Sequence, residues 1–329
     1  MEPILSEHPY ARLTPDLILR ALESAGFVCD GRLLALNSYE NRVYQIGIED
    51  GPPVIAKFYR PGRWSKWAIL EEHTFSQELA AQEIPVIAPI SDADGGSLHE
   101  LEGFLFAAYP RCGGRWPDLD TRAQRQQMGR FLGRMHAIGA TRHFQHRNRL
   151  DIATLGDASR RFVLEEKLVP DYLFDAYATL SDDLLKQIRV MFEIAGSVAQ
   201  IRLHGDCHKG NILWTDRGPH FVDLDDSCSG PPIQDIWMLL SGETEEMRIQ
   251  FEELLEGYQT FFDFDYSSVI LIEALRTLRM LNYAAWLARR WQDPAFPIAF
   301  PWFSSPRYWE EHILNLREQA AALNSPPIV

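Results

Sequence analysis

Asp206, Asn211 and Asp223 are the residues whose types and spacing could do chemistry. They lie in Leu203-His204-Gly205-Asp206-Cys207-His208-Lys209-Gly210-Asn211-Ile212-Leu213-Trp214 and in His220-Phe221-Val222-Asp223-Leu224-Asp225-Asp226. Phosphoryl transfer from ATP makes two demands: a carboxylate to orient the incoming hydroxyl and take its proton, and a divalent cation on oxygen ligands to neutralise the triphosphate. Asp206 followed five residues later by Asn211 fits a loop that supplies base and metal ligand. Asp223, at the end of Phe221-Val222-Asp223 and 12 residues after Asn211, can reach the same metal from a partner strand. The competing reading makes both motifs solvated turns. Either motif alone would be weak; together, flanked by apolar strand residues, they disfavour that reading.

The elements that must position these groups divide the chain. Thr14-Pro15 at the start and Gly26 at the end predict a helix over 13–26. Residues 32–48 alternate, and Pro53-Val54-Ile55-Ala56-Lys57 follows the turn signal Glu49-Asp50-Gly51, which predicts two antiparallel strands. A helix is predicted over 66–83, a strand over Ile84-Pro85-Val86-Ile87-Ala88-Pro89-Ile90, and two short strands at 97–101 and 103–109. Past Pro110-Arg111-Cys112-Gly113-Gly114 the pattern turns helical, at 121–138, 181–198, 244–263, 266–291 and 307–323, interrupted by one strand pair near 202–203 and 220–224. The expectation is an α+β, protein-kinase-like two-lobed fold. Residues 1–112 form its small, sheet-rich nucleotide-binding N-lobe, and residues 113–329 its larger helical catalytic and substrate C-lobe.

Composition sets the outer limits. The 329 residues, 46% hydrophobic and 12% aromatic, can bury a large core. A net charge of -14 repels phosphate backbones and anionic lipid, which argues against nucleic-acid or membrane binding as the main task. ATP is still admitted, because a basic pocket with bound metal overrides the global field. The first residues lack the basic flank and apolar run of a secretion signal, and no stretch of 18 apolar residues exists. Four scattered cysteines, Cys29, Cys112, Cys207 and Cys228, fit free thiols in a cytoplasmic protein. Cys207 and Cys228 lie near the motif strands, where oxidation could poison activity; inert buried thiols are the favoured reading. His204, Cys207 and His208 are too tightly spaced for the usual zinc ligand set.

His204-Gly205-Asp206-Cys207-His208-Lys209-Gly210-Asn211 resembles the HGDxHxxN signature of the aminoglycoside phosphotransferase and choline kinase superfamily, a branch of the protein-kinase-like fold. The segments LNSYENRVYQ, KFYRPGRW, ILEEH, RLHGDCHKGNILW, FVDLDD, QDIWMLL and DPAFP extend the resemblance, over nearly the whole chain, to the bacterial stress response kinase A family. The resemblance implies an ATP- and Mg²⁺-dependent kinase. In it Asp206 is the proton acceptor, Asn211 and Asp223 bind Mg²⁺, and His204 has a structural part in the loop.

Lys57 in Val54-Ile55-Ala56-Lys57 is similar to the kinase strand whose lysine contacts the α and β phosphates and is positioned by a helix glutamate. Glu72 is the expected partner and Glu71 its competitor. The alternative for Lys57 is an edge-strand lysine that deters aggregation. The loop Asn37-Ser38-Tyr39-Glu40-Asn41, with no GxGxxG, should cover the phosphates, and by the resemblance Ser38 touches ATP; an ordinary hairpin turn is the alternative. Asp235 resembles the aspartate that caps the catalytic-loop backbone in kinases.

The acceptor is less determined. Only eleven residues separate Asp223 from Asp235, too few for an activation segment and peptide platform, which favours a small hydroxylated metabolite. The resemblance implies a stress-response serine/threonine protein kinase instead, and that is the preferred expectation. An amino-alcohol or aminoglycoside-like kinase is the alternative, and a nucleotide-binding pseudokinase the third. Arg276, Arg279, Tyr283, Trp286 and Arg290 recur on one helix face and could line an acceptor pocket with Asp225 and Asp226, or could simply pack.

Overall fold

The computed structural model describes residues 8–328; residues 1–7, at the head of the stretch read for an export signal, and Val329 lie outside the described residues. The chain forms two compact units. The first holds the residues up to Asp118, together with Phe144–Arg147 and Lys209–Ser227; the second holds Leu119–His143, Asn148–His208 and the residues from Cys228 on. The segment carrying Asn211 and Asp223 therefore belongs to the first unit, and Asp206 to the second.

In the first unit, helix α1 (Pro15–Ser24) precedes strands β1 (Cys29–Ala35), β2 (Arg42–Ile48) and β3 (Val54–Phe58), helix α2 (Lys66–Ala81), and strands β4 (His99–Leu101) and β5 (Phe104–Pro110). The strands form one antiparallel sheet in the order β1-β2-β3-β5-β4. Thr14 Oγ1 accepts the amide of Leu17, Pro15 opens the first turn, and Gly26 follows with φ 91°, so α1 starts and stops on local signals.

Alternation along β3 decides what each face buries. Val54, Ala56 and Phe58 pack with Leu17, Ile18, Ala21 and Leu22 of α1. Lys57 must then face the other side, where Tyr59, Ile69 and Ala107 form a smaller cluster beneath α2. Strand β3 is central, with Lys57 opposite Val43 on one side and Ala107 on the other, so the edge-lysine alternative does not apply.

The expected strand over residues 84–90 is an extended segment with a single bridge, Val86 to Phe221. Pro85 and Pro89 remove the amides that a ladder needs. The strand pair expected from 202–203 and 220–224 is also corrected. Strands β6 (Ile201–Leu203), β7 (Ile212–Thr215), β8 (Gly218–Phe221) and β9 (Cys228–Gly230) pair as β6 with β9 and β7 with β8. Asp216-Arg217 closes a two-residue hairpin into Gly218, whose φ of 107° is one that glycine adopts freely, and this local pairing takes β8.

The second unit is mainly helical: α3 (Arg122–Gly139), α4 (Ala158–Glu165), α5 (Asp171–Ala195), α6 (Ile233–Trp237), α7 (Thr244–Tyr258), α8 (Leu271–Arg289), α9 (Ala295–Ala299) and α10 (Pro306–Leu323). Helix α5 begins ten residues before its sequence expectation, straight after Pro170, and ends at Gly196 with φ 69°. The region read as 266–291 divides into a 3₁₀ turn, Tyr266–Ile270, and α8. Tyr177, Leu184 and Ile188 of α5, Leu278 and Leu281 of α8, and Trp309 and Leu316 of α10 share one core.

Helices α3 and α7 cross with their backbones nearly touching. A Cβ on Gly129 would stand 1.9 Å from the Leu254 carbonyl oxygen, one on Gly133 2.4 Å from that of Tyr258, and one on Gly257 2.0 Å from that of Gln126.

Candidate active site

In the first unit, Lys57 Nζ donates to Asp223 Oδ1 at 2.8 Å and lies 3.4 Å from Asp225 Oδ1. Burial alone would lower the Lys57 pKa, but the charges of Asp223, Asp225 and Glu72 raise it well above its ordinary value. Lys57 is a fixed cation.

Asp223 is the second residue past the end of β8 and has left-handed backbone angles, φ 58° and ψ 63°, which are uncommon outside glycine. Such strain gathers at functional positions. Its side chain is 55% exposed even with Lys57 attached, so it can take a further ligand. Asn211 ends the 3₁₀ turn Lys209–Asn211, just before β7, and its carbonyl accepts the amide of Val222 at 3.0 Å. The hairpin thus sets Asn211 beside the residue preceding Asp223.

Asp225 is buried deeper than the sequence suggested. It accepts from Asn41 Nδ2 at 3.0 Å and pairs with Arg63, which also pairs with Asp226. Burial pushes the Asp225 carboxyl up, but Arg63, Lys57, Arg147 and the Asn41 hydrogen bond outweigh it and hold it well below the carboxylate range. Asn41 also accepts the Arg60 amide at 3.1 Å, which fixes the 37–41 loop on the segment after β3. Ser38 Oγ donates to the Asn41 carbonyl and accepts the Val43 amide, so Ser38 closes the loop that carries Asn41.

Glu71 and Glu72 separate by function. Glu71 accepts the backbone amides of Gln145, His146 and Arg147 at 2.6, 2.7 and 3.0 Å, pinning that segment to α2. Glu72 is 2% exposed, and burial pushes its carboxyl up to about 7 against the opposing charge of Lys57. Lys57 makes its ion pairs with Asp223 and Asp225, and Glu72 acts on it through its charge alone. The adjacent His73 bonds Tyr59 and Ser97 at 2.7 and 2.9 Å, and burial with nearby Lys57 holds its imidazole down at about 3.

In the second unit, Asp235 of α6 organises the loop after β6. It is fully buried; Oδ2 accepts the His204 amide at 2.9 Å and Oδ1 the Gly205 amide at 2.8 Å. Its third partner is His136 Nε2 at 3.2 Å, and His136 Nδ1 lies 2.9 Å from the Tyr258 hydroxyl. The loop therefore rests on a buried chain running from α7 through α3 to α6.

Asp206 follows, with Arg279 Nη1 2.6 Å from Oδ1 and His208 Nε2 3.4 Å from Oδ2. Burial pushes the Asp206 carboxyl up; the His208 hydrogen bond and the Arg279 charge overcome this and keep it ionised well below the usual range. The neighbouring Cys207 is buried, and burial raises its thiol well above the ordinary value, as an inert thiol would be.

A hard cation fits the first unit. Asn211 and Asp223 offer oxygen donors, the kind that Mg²⁺ and Ca²⁺ take, and Mg²⁺ on a nucleotide needs only one or two protein ligands. Among the described residues no group of three or more His, Cys, Asp or Glu is arranged to hold a metal ion, so the remaining ligands would be phosphates and water. Asn41, Arg63 and Arg279 are the interacting residues that sequence motifs miss; of them only Arg279 carried a signal, its place on a basic helix face.

Residues 32–272 match the model of the phosphotransferase enzyme family. Stress response kinase A of Escherichia coli (strain K12) is 43% identical over 98% of this chain and 97% of its own length. Serine/threonine protein kinase RdoA of Salmonella typhimurium is 43% identical over 97% and 96%. Among solved structures, an amicoumacin kinase in complex with AMP-PNP and Ca²⁺ aligns with a TM-score of 0.71 at 19% identity, covering 94% of each chain. A microcompartment-associated aminopropanol kinase aligns with 0.65 at 18%, covering 91% of this chain and 99% of its own. These neighbours have the α+β, protein-kinase-like fold described above.

Proposed function

The chain belongs to the phosphotransferase enzyme family and is a kinase, and from that premise we propose that it uses ATP with Mg²⁺ to phosphorylate a serine or threonine hydroxyl of a protein in the stressed cell. The observation that carries the reading is the buried Lys57 held 2.8 Å from Asp223, a lysine fixed on a strand beside a carboxylate able to take a cation. The names of the two bacterial relatives support a protein acceptor and a role under stress. No helix among the described residues is long and apolar enough to cross a membrane. The reading takes the protein as cytoplasmic, with its cysteines as thiols.

In this mechanism Lys57 orients the donor phosphates, with Ser38 in the loop above them and Glu72 adding negative charge behind the lysine. Bound Mg²⁺, held by Asn211 and Asp223, would supply neutralisation of the triphosphate charge. Asp206 orients the acceptor hydroxyl and takes its proton as the oxygen–phosphorus bond forms and the bond from the γ-phosphorus to the bridging oxygen breaks. Asp235 holds the His204 and Gly205 amides and so fixes the approach of Asp206.

A second reading, a kinase of small hydroxylated metabolites, is favoured by one observation. Between Asp223 and Asp235 the chain is occupied by a 3₁₀ turn, β9 and the start of α6, with no long segment for a peptide to lie on. Labelled ATP added to a cell lysate with the purified protein, then separated into protein and metabolite fractions, tests both. Label in serine or threonine of a protein supports the first reading, and label confined to metabolites replaces it with the second.

A further inference from the structure

Arg279 sits on Asp206, the residue read above as proton acceptor. Its guanidinium reaches Asp206 Oδ1 at 2.6 Å, yet its side chain is 44% exposed. One turn earlier on α8, Arg276 lies over the Trp237 ring at 4.9 Å. Trp237 Nε1 donates to Gln234 Oε1, and Gln234 Nε2 donates to the Gly205 carbonyl, both at 3.0 Å. Two guanidinium groups from one helix are thus tied to consecutive residues of the same loop, Gly205 and Asp206. Further along, Tyr283 and Trp286 stack at 5.6 Å, and Arg290 lies over Trp286 at 5.4 Å. Arg276 already pairs with Glu273 at 3.1 Å, which leaves Arg279 as the arginine of this stripe that reaches Asp206, in a chain of net charge -14.

An exposed arginine adds little stability by pairing with a carboxylate. It does weaken that carboxylate as a base, because its charge favours the deprotonated form. Arginine presents a planar fork of donors that fits a carboxylate or phosphate in two parallel hydrogen bonds. An acceptor carrying such a group would satisfy the fork and draw it from Asp206, releasing a carboxylate oxygen for the acceptor's own hydroxyl.

We propose that Arg279 binds an anionic group on the acceptor, so that the preferred substrate is a hydroxyl with a carboxylate or phosphate a few bonds away. The inference rests on the reading of Asp206 as proton acceptor. The anionic group is either an acidic side chain flanking a serine or threonine or the acid group of a small hydroxy acid. The chemistry recognised is the same.

The test uses the full chain with labelled ATP and Mg²⁺. One arm offers peptides that differ only in having glutamate, alanine or lysine around a single serine; the other offers glycerate, glycerol and ethanolamine. The expected result is kcat/KM at least roughly tenfold higher for the anionic member of one arm, about the discrimination that one charge-assisted contact gives. Arg279→Ala should raise KM for that acceptor far more than for the neutral one, and Arg279→Glu should move the preference toward the cationic one. Thermal melting of each variant checks that it is folded, and Arg279→Lys should keep part of the anion preference. Equal or better use of neutral or cationic acceptors, or a KM ratio unmoved by Arg279→Ala, overturns the proposal. Failure of the protein to consume ATP with any acceptor or with water would instead strike the phosphotransferase reading, and this inference with it.

Discussion

His136 and Asp235 meet in complete burial, Nε2 of the one 3.2 Å from Oδ2 of the other. The same carboxylate takes the amides of His204 and Gly205. Removing it by Asp235→Ala orphans the buried His204 amide and the partly buried Gly205 amide, the first worth about 1–3 kcal/mol and the second less. Urea unfolding should show a loss of about 2–4 kcal/mol from these unpaired donors and the lost His136 partner. Turnover should fall as well, with Asp235→Asn between wild type and alanine. Unchanged stability in the alanine variant would mean that the loop is held by something else.

Asp206→Asn keeps the shape of the side chain and removes its ability to take a proton. Turnover should drop about 10²–10⁴-fold, the usual contribution of a general base. Nucleotide affinity, measured by calorimetry, should stay near the wild-type value, because Lys57, Asn211 and Asp223 are untouched. A variant that still turns over at the wild-type rate would remove Asp206 from the mechanism.

Lys57→Met takes the counter-ion from Asp223, Asp225 and Glu72 together. We expect a stability loss of about 3 kcal/mol and weakened ATP binding. With the lysine gone, burial is unopposed by it and the Glu72 carboxyl stays protonated at neutral pH, so adding Glu72→Gln should change stability little in this background, unlike in wild type. A double-mutant cycle with no coupling between the two sites would contradict the electrostatic link.

Glu72 also predicts a pH effect. Its carboxyl is raised from 4.5 to about 7 in the folded chain, chiefly by burial. Between those values the folded protein keeps a proton that the unfolded chain has lost, so this stabilising contribution is complete at low pH and fades as pH rises. The loss should be on the order of 1–3 kcal/mol between about pH 5 and pH 8. Glu72→Gln does not titrate, so its stability should gain on wild type over that interval. A difference that is flat with pH would mean that Glu72 is charged throughout.

Much of this architecture is legible in the sequence, and the exceptions have physical causes. Thr14-Pro15 and Gly26 mark the ends of α1 because caps are local. Lys57 can be picked out because it is a charge inside an apolar strand. Its partner Asp225 lies 168 positions away and Asn41 reaches that carboxylate across 184, distances at which no periodicity carries information. Glu72 and its competitor Glu71 stand side by side in the sequence; only the fold shows that Glu71 turns toward three backbone amides and Glu72 into the interior. Ile84–Ile90 reads as a strand by composition, and its prolines leave it a single bridge. The pairing of β6 with β9 is hidden because the β7–β8 hairpin lies between them in the chain.

The glycine crossing of α3 and α7 reaches beyond packing. Gly129, Gly133 and Gly257 bring two main chains so close that neither helix can slide or tilt without the other. His136 rides on the first helix and Tyr258 on the second, and together they seat the aspartate beneath the His204–Gly205 turn. Amide exchange at that turn should therefore be slow and synchronous with exchange in both helices, making the turn part of the last region to open when the molecule melts.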